Sequence, residues 1–377
     1  MRTGFTIVGA ALIVVVLWEA FESIVLPRRV SRRFRITRFF YRATWKPWSA
    51  VARRMRAGKP REALLSYFGP LSLLLLLIVW AAGLILGFAI VFWAPGLMVS
   101  GSEGSASFGS YLYMSGSSFF TLGFGDITPV GKAGRFLAVT ESGVGLGFLA
   151  LVIGYLPVIY QGFSRRESRI SLLDARAGSP PTACELLRRH AARMDKLDTL
   201  LSEWEYWAAD LMESHLSYPT LCYYRSQHNN QSWLGAVTTI LDTCALVIVG
   251  VEGAPVRQAE LTFAIARHAI VDLSQIFNTA PCPPGDRLPP GELARLRRTL
   301  AAERVKLADD SVADRRLHEL RMMYEPYVAA LSRFLLMNLP PWILAGEALD
   351  NWQTSAWGKI SQGIKGPTDL GEDGTHT

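Results

Sequence analysis

Thr121-Leu122-Gly123-Phe124-Gly125-Asp126, continued by Ile127-Thr128-Pro129, sits in a loop between two long apolar stretches. Two glycines alternate with bulky apolar residues, a threonine precedes them and a carboxylate follows. Alone, a G-x-G is common in turns and specifies little. The setting decides the fold. Ser107 to Phe119, just upstream, is rich in Ser, Tyr and Phe. It is long enough for about three helical turns but too short to cross a bilayer. Irregular backbone at membrane depth is tolerated only where it lines water or is buried in protein. A re-entrant helix followed by a glycine-punctuated strand meets that condition.

Outward from this loop the chain is apolar. Three stretches exceed the roughly 20 residues a spanning helix needs: Gly4 to Leu26, Tyr67 to Leu97, and Phe136 to Tyr160. The second lies in a charge-free run between Glu62 and Glu103, and the third carries one charge, Glu141. Half of the 377 residues are hydrophobic and 19% are charged, yet the net charge is +7. Apolar spans flanked by basic loops explain that combination without a nucleic-acid partner. Between Arg28 and Arg61 there are thirteen Lys or Arg and no acid. Such a block stays on the cytoplasmic side. The expected topology therefore has the N-terminus outside and the first helix as a retained anchor. The loop at 98–134 opens outward, in the cell or inner membrane, and everything after Gly162 is cytoplasmic. The same block, with Phe39, Phe40, Trp45 and Trp48, has the composition to lie on anionic lipid. It is no voltage sensor, since its arginines are clustered outside an apolar helix.

The loop's chemistry suits a cation. Replacing the hydration shell of K⁺ takes rings of backbone carbonyls. For all carbonyls to point inward, alternate residues must adopt unusual dihedrals, which glycine permits at little cost. Gly123 and Gly125 have that spacing, Thr121 adds a hydroxyl at the inner mouth, and Leu122 and Phe124 point away. The preceding helix aims its negative end at the cavity.

Thr121 to Asp126 resembles the potassium-channel signature T-V-G-Y-G-D, with Leu122 for Val and Phe124 for Tyr. The resemblance covers Tyr67 to about Tyr160, the two-helix pore-loop module. It implies K⁺ sites formed by the carbonyls of Thr121, Leu122, Gly123 and Phe124 with the Thr121 hydroxyl. It also implies a homotetramer, because one loop per chain cannot enclose an ion. Many relatives carry a Trp pair where this chain has Tyr113 and Met114, and a carboxyl group where it has Ser117. Phe124 lacks the tyrosine hydroxyl, so the cuff around the filter is thinner. Glu141 is expected to brace the filter from the inner helix, through the pore-helix serines Ser117 and Ser118 or the filter backbone, with a carboxylate reaching cavity water and attracting cations as the alternative. Gly145 falls at the family's gating hinge, with close helix packing as the alternative. Pro157 falls near the cytoplasmic bundle crossing, where it kinks the helix.

The expected fold is all-α. The expected organisation is a first transmembrane helix (1–27), a basic linker (28–66), the pore module (67–163), a helical and regulatory cytoplasmic domain (164–361), and a disordered tail (362–377). The apolar run Ala236 to Val251 is interrupted by Asp242 and reads as a core helix of the soluble part. Cys184, Cys222, Cys244 and Cys282 form no C-x-x-C pair and no disulfide framework, as in a cytosolic compartment. His268 and Asp272, with Asp242, have metal-ligand chemistry but suit a polar pair in a bundle better. Trp204, Tyr206 and Trp207 suit a core better than a ligand pocket. No nucleotide-binding G-x-G-x-x-G follows Tyr160, and no nucleophile–base pair or metal signature points to an enzyme. No cofactor is implied beyond K⁺ as the permeant ion. The expected activity is passive K⁺ conduction gated by the inner helix and modulated by the helical domain. A non-selective cation channel, or a membrane-tethered sensor with a vestigial pore, are the alternatives.

Overall fold

The computed structural model of the protein describes residues 2–26, 36–101, 106–228, 230–283 and 285–344. The tail at 362–377 and the arginines at 28–35 lie outside them. The chain is all-α, with twelve α-helices among the described residues. Their only sheet is one pair of two-residue strands. Two compact units are present: residues 1–163 together with 217–224, and 164–216 together with 225–377.

In the first unit, α1 (Arg2–Ala20) continues into a wider turn, Phe21–Val25. It lies along α3 (Lys59–Trp93). Small residues set their separation: a β-carbon on Gly9 would stand 2.8 Å from the Gly87 carbonyl oxygen. Where lipid tails remove the hydrophobic drive between helices, such close approach supplies the packing energy. Val16, Leu76, Leu77, Trp80 and Leu84 form the seam, with Phe119 and Phe148 against it. At the end of α1 the buried Glu19 accepts from the Thr37 backbone N–H at 3.2 Å and its hydroxyl at 2.8 Å. This places a carboxylate at the N-terminus of α2 (Ile36–Arg54), the favourable end of the helix dipole. The second helix is amphipathic. Phe40, Trp45, Ser49 and Ala52 are buried, while Arg38, Arg42, Lys46, Arg53, Arg54 and Phe39 are exposed.

Pro60 opens α3 in its first turn, where a missing N–H costs nothing. Strand β1 (Val99–Ser100) pairs antiparallel with β2 (Thr128–Pro129), Val99 opposite Pro129 and Ser100 opposite Thr128. Between them stand α4 (Phe108–Phe119) and the glycine segment. The next helix, α5 (Gly131–Ala177), is a continuous 47 residues, roughly 70 Å at 1.5 Å per residue.

Residues Ser217 to Tyr224 belong to this first unit. Tyr223 stacks on Tyr41 at 5.6 Å and meets Trp45 and Phe68, each at 5.0 Å. Leu221 is fully buried with Leu73 of α3 and Tyr155 and Ile159 of α5. Gly69 leaves room for the Tyr224 ring, 2.7 Å from where a β-carbon would stand.

The second unit is a helical bundle. It contains α6 (Ala183–Arg189), α7 (Lys196–Ser217), α8 (Trp233–Gly250), α9 (Val256–Ile276), α10 (Pro290–Ala302), α11 (Ser311–Met322) and α12 (Glu325–Leu335). Side-chain oxygens cap several starts, each satisfying an orphan N–H. Thr182 accepts from Glu185 at 3.2 Å and Ser232 from Gly235 at 2.9 Å, while Asp310 accepts from Val312 and Ala313, both at 2.8 Å. By length and composition, α8 joins α1, α3 and α5 as a helix able to cross a membrane. Its apolar window is 89% buried within the protein, against 22% to 39% for the other three. A lipid-facing helix needs an uncovered face, so α8 is a core helix. Its polar groups are satisfied internally. The Thr239 hydroxyl donates to the Pro181 carbonyl at 2.9 Å, and Asp242 accepts from Arg287 at 2.6 Å and from the Tyr324 hydroxyl. Arg287 also reaches Glu325 at 3.1 Å, and Arg321 reaches Asp286 at 2.8 Å. Both guanidiniums stack near the Trp342 ring.

Candidate functional site

The site is built from the end of α4 and the segment that follows. Ser107 caps α4, its hydroxyl oxygen accepting from the Ser110 N–H at 3.4 Å. One stripe of the helix is buried, with Tyr111, Met114, Ser115 and Phe119 at the i, i+3, i+4, i+8 spacing of a helix face. The Tyr111 hydroxyl ties that face to the Leu97 carbonyl at 2.7 Å. The chain leaves the helix with N–H groups folded back onto its last turn. Phe120 donates to Gly116 at 3.1 Å, Thr121 to Ser118 at 3.0 Å and Leu122 to Ser117 at 2.9 Å.

Thr121, Gly123 and Gly125 then have φ of 55°, 62° and 79°. Every second residue from 121 to 125 is thus left-handed. This alternation costs glycine little but is unfavourable for Thr121, which has a β-carbon. Leu122 and Phe124, between them, are 56% and 65% exposed. Asp126 closes the segment, and the Tyr113 hydroxyl lies near its carboxylate. Gly101, on the loop after β1, packs against the Asp126 carbonyl. The Ser100 and Thr128 hydroxyls are 2.6 Å apart across the strand pair.

Helix α5 fastens α4 at three points. Glu141 is fully buried and hydrogen-bonds through its Oε1 to Ser115. The Ser142 hydroxyl donates to the Ser118 carbonyl at 3.0 Å. Gly145 lies against the Phe119 carbonyl. The carboxyl therefore meets Ser115 rather than Ser117 or Ser118. Ser117 contributes its carbonyl to the Leu122 N–H. The signal that would have found Ser115 was the apolar stripe itself, because Ser115 shares the face of Tyr111, Met114 and Phe119. Pro157 lies within α5 between the buried Tyr155 and Ile159.

Other candidates resolve differently. The exposed His268 pairs with the half-buried Asp272 at 3.4 Å, and Asp242 is taken by Arg287 and Tyr324. No group of three metal-ligating side chains occurs among the described residues. Trp204 and Trp207 meet at 4.6 Å in the bundle core, while Tyr206 faces out. Sequence reasoning passed over His215. It is fully buried, accepts from Arg166 Nη1 at 3.1 Å, and lies 3.0 Å from the Ser214 hydroxyl. Burial, and then the neighbouring Arg166 charge, hold its imidazole well below the usual histidine range.

Comparison with known proteins agrees with this geometry. Residues 74–161 match the family model described as ion channel. Over 260 residues, 67% of this chain and 75% of the relative, the sequence is 25% identical to the uncharacterized membrane protein YdjJ of Bacillus subtilis (strain 168). That likeness is longer than the 74–161 segment. No solved structure matches the chain. The segment so matched holds much of α3, all of α4, the glycine segment and much of α5, and this stretch of the chain is therefore similar to ion channels.

Proposed function

We propose that the chain is one of four identical subunits of a potassium-selective channel, conducting K⁺ passively through the segment Thr121 to Asp126. The observation that carries this reading is the left-handed alternation at 121, 123 and 125. It is the conformation a row of inward carbonyls requires, and it persists at a threonine, where it is unfavourable. Carbonyls of Thr121, Leu122, Gly123 and Phe124 would line the ion sites, with the Thr121 hydroxyl at the inner end. Four copies are favoured by the apolar side chains that one copy leaves uncovered, Leu122 and Phe124 among them. An apolar cleft of about 370 Å³ beside Thr121 and Gly145 is a further surface for a neighbouring copy. The thirteen basic residues between Arg28 and Arg61 favour an N-terminus outside and the helical domain in the cytoplasm, in a cell or inner membrane.

Gating is assigned to the inner helix at Gly145 and Pro157, with the helical domain as its regulator. Support for the regulator comes from residues 217–224, which the chain inserts among α2, α3 and α5 at Tyr155 and Ile159, on either side of Pro157. The exposed Arg38, Arg42 and Lys46, beside an exposed Phe39, fit a helix lying on anionic lipid.

Purified protein in liposomes tests the reading. Reversal potentials following the K⁺ gradient in mixed K⁺ and Na⁺ solutions are the expected result. Potentials that follow both ions equally would replace it with a non-selective channel, and no flux at all with a scaffold. Native mass spectrometry should give a tetramer, and a stable monomer or dimer in both lipid and detergent would overturn the assembly.

A further inference from the structure

Ser115 has one hydroxyl proton and two oxygens within hydrogen-bonding distance. One is the Ile85 carbonyl of α3, at 2.8 Å. The other is Glu141 Oε1 of α5. A carbonyl only accepts, and an ionised carboxylate only accepts. With Glu141 ionised, one of the two contacts would therefore have no proton in it and would set oxygen lone pairs against each other. A protonated Glu141 resolves the conflict. It donates to Ser115, and Ser115 donates to Ile85. The second carboxyl oxygen points the same way: Glu141 Oε2 is buried without a hydrogen-bond partner. For a carboxylate that is a heavy desolvation cost, whereas for the carbonyl oxygen of a neutral acid it is modest.

Among the described residues no counter-charge acts on Glu141. On α3 no charged residue occurs after Glu62. The titratable groups of α4 are two phenols, Tyr111 on the Leu97 carbonyl and Tyr113 near Asp126. On α5 the nearest charged residues in sequence are Arg135 and Arg165, at least a turn and a half away along the helix. Residues 1–163 contain no histidine. Because Glu141 is fully covered within a single subunit, neither the central cavity nor another copy is needed to bury it.

We propose that Glu141 is a positioning residue of the filter: it stands as a neutral acid whose proton begins a chain, Glu141 to Ser115 to the Ile85 carbonyl, that pins the pore helix between the inner and outer helices. The proposal rests on the filter reading of residues 121–126. Its consequence is mechanical. The chain, together with Ser142 on Ser118 and Gly145 on Phe119, fixes the last turn of α4, from which the filter departs. Glu141 holds the frame and touches no ion. Losing the donor should loosen the filter without moving the ion sites.

Two independent readouts test it in the full-length protein in lipid. The first needs no ion flux: infrared difference spectra between wild type and Glu141→Gln should show a protonated carboxylic-acid carbonyl band at pH 7, lost in the variant. A carboxylate band there instead would overturn the proposal, whatever ion the channel selects. The second is the decay of flux in low K⁺. Glutamine keeps a donor at the same reach, so Glu141→Gln should decay at the wild-type rate. Glu141→Ala and Ser115→Ala should decay about tenfold faster, as for loss of roughly 1.4 kcal/mol of buried hydrogen bonding. At alkaline pH, wild type should acquire the fast decay as the proton is lost, and Glu141→Gln should not. A glutamine variant as fast as alanine, or a wild type no more alkali-sensitive than glutamine, would also overturn it. Failure of the K⁺ reading would appear separately, in the wild-type reversal potential.

Discussion

Gly145 of α5 faces Phe119 of α4 so closely that a β-carbon at position 145 would stand 1.9 Å from the Phe119 carbonyl oxygen. Backbone is on both sides of this contact, so no side-chain rotation relieves it. Gly145→Ala should therefore force α5 away from α4, at an overpacking cost of about 1–3 kcal/mol. Reduced flux and a lower unfolding temperature are expected. Gly147, two residues on, has nothing within 4 Å of its β-carbon position among the described residues. Gly147→Ala should be milder in the same thermal assay, and equal losses for the two would mean that the Phe119 contact is not what position 145 serves.

Gly123 differs from Gly145 because its β-carbon position is open. Only the dihedral constrains it, with φ at 62°. Gly123→Ala should leave a folded, assembled protein and cost about 1–2 kcal/mol of local backbone strain, enough to turn the carbonyl. Loss of K⁺ flux with an unchanged assembly in native mass spectrometry is the expected outcome, and wild-type selectivity in this variant would show that the ion path runs elsewhere.

Leu221 is sealed among Leu73, Tyr155 and Ile159. Leu221→Ala should cost about 2–5 kcal/mol at that contact and release residues 217–224. Single-channel recording is expected to show a changed open probability with an unchanged reversal potential, and hydrogen exchange should rise in α2. An unchanged open probability alongside the raised exchange would separate the segment from gating.

His215 should make the helical bundle acid-sensitive. In the folded protein its imidazole is neutral, fully buried and accepting from Arg166 at 3.1 Å. Unfolded, it titrates near 6.5. Its folded pKa is lowered, so below pH about 6.5 the unfolded chain binds a proton that the folded chain refuses. Its contribution to stability is then complete above that pH and shrinks as pH falls. The His215 ring lies 5.7 Å from Trp233, so tryptophan fluorescence can follow unfolding. Wild type should lose stability between pH 7 and 5 more steeply than His215→Gln, and parallel profiles would exclude His215 as the sensitive group.

How much could be read without the structure differs from residue to residue. Local chemistry was legible. The charge-free run after Glu62, the short serine-rich helix before Thr121 and the G-x-G spacing each depend on residues close in sequence. They determined an all-α chain with helices long and apolar enough to cross a membrane and a short helix leading into a glycine segment between two of them. Asp242 inside the run Ala236 to Val251 marked a core helix, because a lone carboxylate is costly in lipid and needs a partner in protein.

Partnerships were not legible, since they join residues far apart in the chain. Glu141 was visible as an anomaly, but its partner was Ser115 and not the nearer-seeming Ser117 or Ser118. The rotation of α4 about its axis decides that, and packing against α3 sets the rotation. Arg287 as the partner of Asp242, Arg166 as the partner of His215, and the insertion of Leu221 and Tyr223 among α2, α3 and α5 were likewise decided only by the tertiary structure. The periodicity of a helix records which face is buried, while the identity of the group waiting on the other side is written in a different part of the chain.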